Sequence, residues 1–99
     1  MKIKPQTEKQ ITAGIRQFLK NHGIFHWKQW QGLGSQKGVS DIIGIFKGKF
    51  FALEVKTGKG KLSDHQRLFL SEVALNGGIV IVARSVEDVA VKFGLMKAR

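Results

Sequence analysis

The stretch Asp41-Ile42-Ile43-Gly44-Ile45-Phe46-Lys47-Gly48-Lys49-Phe50-Phe51-Ala52-Leu53-Glu54-Val55-Lys56 decides the architecture of this chain. Two strand-like runs, 41–46 and 49–56, flank Lys47-Gly48. That dipeptide reads as a two-residue hairpin turn, because glycine supplies the positive φ such turns need. With this turn Phe46 faces Lys49, Ile45 faces Phe50, and the ladder continues until Asp41 faces Glu54. Directly opposed side chains share one face of the sheet, with Cβ atoms about 4.5–5.5 Å apart. Glu54 and Lys56 also share a face, since side chains alternate along a strand. Asp41, Glu54 and Lys56 therefore converge at one end of the hairpin. A three-residue turn would shift the register by one and set Asp41 opposite Val55.

The face with these three groups also carries Ile43, Ile45, Phe50 and Ala52. The other carries Ile42, Gly44, Phe46, Phe51, Leu53 and Val55. Both are mostly apolar, so both are expected to be covered. A solvated cross-strand charge cluster would sit on a face polar along its length, whereas here the charges are confined to one end. Two carboxylates side by side in such a place repel each other and are partly desolvated unless a cation joins them. Lys56 neutralises them in part. A hard divalent ion with oxygen ligands does so more completely.

Outward from the hairpin, the spacing of Ile11, Ile15, Phe18 and Leu19 predicts a helix over 7–22, opened by a Thr7/Gln10 capping box and closed by Gly23. Glu8 lies on or beside the apolar stripe. It reads equally as a favourable acid at the helix N-terminus and as a member of the charged site. Residues 24–31 read as a strand, with Phe25, Trp27 and Trp30 as its large apolar groups. A glycine-rich loop, Gln31-Gly32-Leu33-Gly34-Ser35-Gln36-Lys37-Gly38, leads into Asp41 and offers backbone that can approach phosphates closely. Thr57-Gly58-Lys59-Gly60-Lys61 is a second basic, glycine-rich loop. A helix then begins at Ser63 with Gln66 completing a capping box, and it ends at Asn76-Gly77-Gly78. Gln66 shares a stripe with Leu70 and Val73, so a cap role and a role facing the sheet compete for its one side chain. The β-branched run Ile79–Ala83 predicts a strand buried on both faces, joined to 49–56 by a right-handed parallel crossover. Ser85 opens a last helix with Val86, Val89, Ala90 and Phe93 inward. The order α-β-β-β-α-β-α gives a single α/β domain over 1–99, a mixed four-stranded sheet flanked by helices.

With 99 residues there is material for one modest core. Seventeen basic against seven acidic residues give a net charge of +10, which points to a polyanionic partner, DNA or RNA. No apolar run approaches the roughly 20 residues of a membrane span, and the first residues lack the apolar stretch of a signal peptide. The absence of cysteine excludes disulfides and thiolate zinc sites. His22, His26 and His65 have no supporting ligand pattern, so a zinc or histidine enzyme is disfavoured.

Gly38-Val39-Ser40-Asp41, the thirteen-residue step to Glu54-Val55-Lys56, and the helical Gln66 resemble the PD-(D/E)XK nuclease superfamily. Within it the chain is most similar to small stand-alone VRR-NUC domain proteins of phages and bacteria. The N-terminal helical Glu8 fits that subgroup, and Ser40 departs from the proline the pattern usually has before the aspartate. The resemblance implies a restriction-endonuclease-like fold and a metal-dependent nuclease. Asp41 and Glu54 would bind Mg²⁺ or Mn²⁺ with the backbone carbonyl of Val55, and Glu8 would complete the site directly or through a water. Lys56 would orient or activate the attacking water, and Gln66 would position Lys56 or that water. It also implies a homodimer acting on DNA, branched or duplex, with four-way (Holliday) junctions the favoured case. No small-molecule cofactor or membrane is implied, and the setting is the cytoplasm of a bacterial cell or phage-infected host.

The chemistry agrees with the residues themselves. Lys56 beside two carboxylates is expected to stay protonated, which favours an electrostatic and orienting role over that of a general base. Lys37, Lys59 and Lys61 flank the site and are candidates for holding phosphates on either side of a cut. The competing reading is a non-catalytic DNA- or RNA-binding module, in which Trp27 and Trp30 stack on bases. The paired acids argue against it, because a pure binder of polyanions has no use for them.

Overall fold

A computed structural model describes residues 4–30 and 37–98. Seven elements follow in the order α1 (Glu8–Asn21), β1 (Phe25–Lys28), β2 (Ile42–Phe46), β3 (Lys49–Val55), α2 (Asp64–Leu75), β4 (Ile79–Ala83) and α3 (Val86–Lys92). Residues 31–36 of the first glycine-rich loop lie outside the described residues.

The expected hairpin register holds. β2 and β3 pair antiparallel with Phe46 opposite Lys49 and Ile42 opposite Leu53. Lys47 (φ 49°) and Gly48 (φ 82°) both have positive φ, the signature of a type I′ turn. The strands lie in the order β1-β2-β3-β4, with β1 antiparallel to β2 and β4 parallel to β3. Both capping boxes form. The Thr7 and Ser63 side chains accept from the backbone N–H of Gln10 and Gln66, and those glutamines accept in return from the cap N–H groups.

The sheet has a separate core on each face. Ile11, Ile15 and Leu19 of α1 and Val89 of α3 pack with Ile42, Phe51, Leu53 and Val55. Leu70 and Val73 of α2 pack with Ile43 and Ala52 on the other side. Gly44 belongs to the first side, where a Cβ would lie 2.5 Å from the Phe51 ring and 2.3 Å from the Phe25 carbonyl oxygen. A side chain there would displace both the ring and the neighbouring strand.

Two expectations about coverage fail. β4 is an edge strand among the described residues and not a fully buried one: Val82, opposite Glu54 on the face that α2 covers, is 36% exposed because one helix does not shield the whole of that face. The α2 side of the sheet is covered incompletely. At the turn end the last turns of α2 come down beside Phe50, with Phe69, Glu72, Val73 and Asn76 around a hollow there, yet Ile45 (47%) and Phe50 (41%) stay partly exposed, and Phe25 (65%) extends the row on β1. Trp27 and Trp30 are exposed too and do not serve as core.

Candidate metal centre and its basic surround

Asp41 lies one residue before β2, in line with the ladder that sets Ile42 opposite Leu53. It is held at both ends. Its carbonyl oxygen accepts from the Gln29 N–H at 2.8 Å, and its Oδ2 accepts from the Val55 N–H at 2.8 Å. The side chain thus reaches across to the end of β3 and is fixed against the neighbouring backbone. The loop that delivers it is also fixed. Gly38 has φ 82° and packs so closely on the first turn of α2 that a Cβ would lie 2.2 Å from the His65 carbonyl oxygen. Ser40 is buried.

Glu54 is 2% exposed, and its Oε1 is buried with no hydrogen-bond partner. Burial is the main force on its carboxyl. The Asp41 carboxyl within hydrogen-bonding reach adds to it, then the Asp41 charge. Lys56 acts in the opposite direction and Glu8 adds a further small push. The result is a pKa raised to about 9. Without a cation the site therefore holds its proton at neutral pH. A buried oxygen with an unused acceptor, beside a second carboxylate, is the environment a hard cation completes.

The residues fit a divalent ion of the magnesium kind, which takes one or two carboxylates and keeps several waters. Asp41 and Glu54 are the side chains that would hold it, with the Val55 carbonyl adjacent. Among the described residues no group of three His, Cys, Asp or Glu side chains is close enough to ligate one ion. Glu8 is exposed in the first turn of α1 and lines, with Asp41, a cavity of about 440 Å³. It faces the pair across that space, which suits contact through water.

Lys56 follows Val55 at the end of β3, its backbone N–H bonded to the Ala83 carbonyl at 3.0 Å. Its charge opposes the upward shift of Glu54. Gln66 caps α2, its Oε1 accepting from the Ser63 N–H at 2.8 Å. Lys37, Lys59 and Lys61 are all exposed.

The structure adds residues that sequence reasoning missed. Arg84, just after β4, donates from Nη1 to the Gly58 carbonyl and from Nη2 to the Gly60 carbonyl, both at 2.8 Å. It thereby clamps the loop that carries Lys59. The partners are 24 and 26 residues away, and no local pattern announces such a pairing. Lys9, Arg16 and Lys28 line the same cavity as Glu8 and Asp41. Their helical and strand spacing was readable, but not their convergence.

Comparison with known proteins agrees with this fold. The family model of the VRR-NUC domain matches residues 5–87. A solved structure described as a VRR_NUC domain protein superposes with a TM-score of 0.74 at 16% identity, covering 93% of this chain and 86% of that one. At that identity the likeness speaks to the fold. No curated protein matches the chain.

Proposed function

The chain belongs to the VRR-NUC domain family, a family of nucleases, and from that premise we propose that it is a Mg²⁺- or Mn²⁺-dependent, structure-specific DNA endonuclease. The observation that carries the metal dependence is the buried, unpartnered Oε1 of Glu54 beside Asp41, in a chain of net charge +10. In so basic a protein, acids gathered at one site oppose phosphate binding unless a cation lies between them.

Asp41 and Glu54 hold the ion, with the Val55 carbonyl as a third oxygen donor and Glu8 acting through water. A bound divalent ion supplies a water of lowered pKa and stabilises charge on the phosphate as it becomes five-coordinate. Lys56 holds a positive charge next to the carboxylates and orients the attacking water or the phosphate oxygen. Asp41 keeps its place because the Gln29 and Val55 N–H groups bind it. Gln66 acts through its cap, setting the first turn of α2 against Gly38 and so the loop that leads to Asp41. Lys37, Lys59 and Lys61 hold flanking phosphates.

The favoured substrate is branched DNA such as a four-way junction, cut by a homodimer. A two-fold dimer presents two equivalent sites, which suits paired cuts on a two-fold substrate. The exposed apolar row Phe25, Ile45 and Phe50, at the end of the sheet away from Asp41, supports the pairing of two copies.

Incubation with duplex, single-stranded, flap and four-way-junction DNA in Mg²⁺, Mn²⁺ or EDTA tests this reading. Cleavage is expected only with metal, fastest on the junction, and reduced at least about a hundredfold in Asp41→Ala and Lys56→Ala. Cleavage that persists in EDTA would sink the metal role. Binding without cleavage in any metal would favour the non-catalytic module.

A further inference from the structure

One side of the molecule carries a feature that the metal centre does not use. On α1, Lys9, Ala13, Arg16 and Lys20 follow at i, i+4, i+7 and i+11, which places them on one face of the helix. On β1, His26 and Lys28 alternate with Phe25 and Trp27. They pair with Gly44 and Ile42, so they share the sheet face that α1 covers. Two hollows lie between helix and strand. One, of about 440 Å³, runs from Asp41 past Lys9 and Lys28 to Arg16. The other, of about 340 Å³, runs from Arg16 to Lys20 and His26. Both are lined by Ala13 and Arg16, so they are two parts of one groove that starts at Asp41.

The charge along this groove is one-sided. Among the described residues that line it, Glu8 and Asp41 are the carboxylates, and both stand at the metal end. Beyond them the walls carry Lys9, Arg16, Lys28 and Lys20, none of which makes an ion pair with a described residue. Arg16 and Lys20 are like charges one turn apart with no acid to relieve them, an arrangement that disfavours the helix. The helix dipole accounts for Lys20, which lies in the last turn of α1, but not for Arg16. The small side chain of Ala13 leaves the groove open between Lys9 and Arg16. The helix rises ~18 Å from Glu8 to Lys20, long enough for several consecutive phosphates of one strand.

We propose that the α1–β1 groove is the track of one DNA strand, with Lys9, Arg16, Lys20 and Lys28 on successive phosphates leading away from the metal centre. The proposal rests on the nuclease reading only for its direction, which puts the scissile phosphate at the Asp41 end. It is distinct from the loops that carry Lys37, Lys59 and Lys61, which lie outside these hollows.

The test is binding in EDTA, where no cleavage can contribute. The anisotropy of labelled single-stranded and duplex DNA, and of RNA of the same sequence, is titrated at several salt concentrations. The proteins are the wild type, Arg16→Ala/Lys20→Ala, and a control with the same charge change outside both hollows, Lys92→Ala/Lys97→Ala. Thermal melts confirm that all three are folded. The groove variant is expected to lose DNA affinity tenfold or more. Its log–log salt slope should be shallower by about 0.7–0.9 for each phosphate contact removed. The control should change less than twofold. Equal losses in both variants, no loss in the groove variant, a wild type that binds no nucleic acid, or a preference for RNA would each overturn the proposal. The two readings fail separately. A groove effect in EDTA with no cleavage in any metal would refute the nuclease reading alone. Cleavage that the groove variant retains with unchanged affinity would refute the groove alone.

Discussion

Glu54 would have to be ionised to hold a cation, whereas burial keeps it neutral without one, and the two demands can be separated by pH. Burial and the neighbouring Asp41 raise its carboxyl from an ordinary 4.5 to about 9. Between those values the folded protein holds a proton that the unfolded chain releases. The stabilisation this group provides is therefore full below about pH 4.5 and is lost as pH rises towards 9. Metal binding requires the carboxylate and so works in the opposite direction. In EDTA, the melting temperature of wild type relative to Glu54→Gln is expected to fall between pH 5 and pH 8. Added Mg²⁺ or Mn²⁺ should raise that of the wild type, more at pH 8 than at pH 5, and leave the glutamine variant unmoved. Calorimetry on the two proteins checks this. The comparison cancels the titration of groups remote from Glu54 and leaves that of the Glu54–Asp41 pair, so parallel pH curves would mean that this pair is not the source of the pH dependence.

At the scale of elements, two glycines with the same φ of 82° separate backbone cost from packing cost. Gly48 sits in the hairpin turn with nothing near a would-be Cβ, whereas Gly38 would drive one into the His65 carbonyl. Gly48→Ala is expected to cost about 1 kcal/mol, the penalty of a left-handed backbone alone. Gly38→Ala should cost more, and it should also lower metal affinity and cleavage, since it pushes apart α2 and the loop that delivers Asp41. Denaturant melts give the first comparison and metal titrations the second. Equal costs would show that the Gly38 loop yields without resistance. The same scale shows what could be read beforehand. The capping boxes of α1 and α2, the I′ turn and the β-branched run of β4 are all local patterns, so their elements and the register that aligns Asp41 with Glu54 were legible. The edge position of β4 was not, since it depends on the order of strands. Nor was the clamp of Arg84 on the Gly58 and Gly60 carbonyls, which joins residues with no sequence neighbourhood in common. The participation of Glu8 stayed open for the same reason. A helix N-terminus explains an acid as well as a site does, and only the packing of α1 brings it to the cavity with Asp41.

Across the whole molecule the sheet divides its labour between its ends. The Asp41 end carries the acids, Lys56 and the basic loops. The turn end carries large apolar side chains on the α2 side, Phe25, Ile45 and Phe50, that stay partly exposed. Phe25, Ile45 and Phe50 form one cross-strand row, and Trp27 packs beside Phe25 with ring centroids 5.7 Å apart. A contiguous apolar surface of this kind on a chain of net charge +10 is costly to leave in water. Pairing through this row brings the basic grooves of two copies no closer than opposite faces of the sheet, since Phe25 and Ile45 point away from the face of His26 and Lys28, and leaves Lys47 and Lys49 of the turn at its margin. We expect the protein to sediment as a dimer at micromolar concentration, and Phe25→Asp/Ile45→Lys to sediment as a folded monomer, since both side chains already face solvent in the single chain. If the dimer is what matches two sites to a four-way junction, the monomeric variant should still bind metal and nick duplex DNA, but lose paired cutting of the junction. A wild type that is monomeric at tens of micromolar, or a variant that remains dimeric, would show that this row is not the interface. A monomer that still resolves junctions by paired cuts would break the link between pairing and substrate.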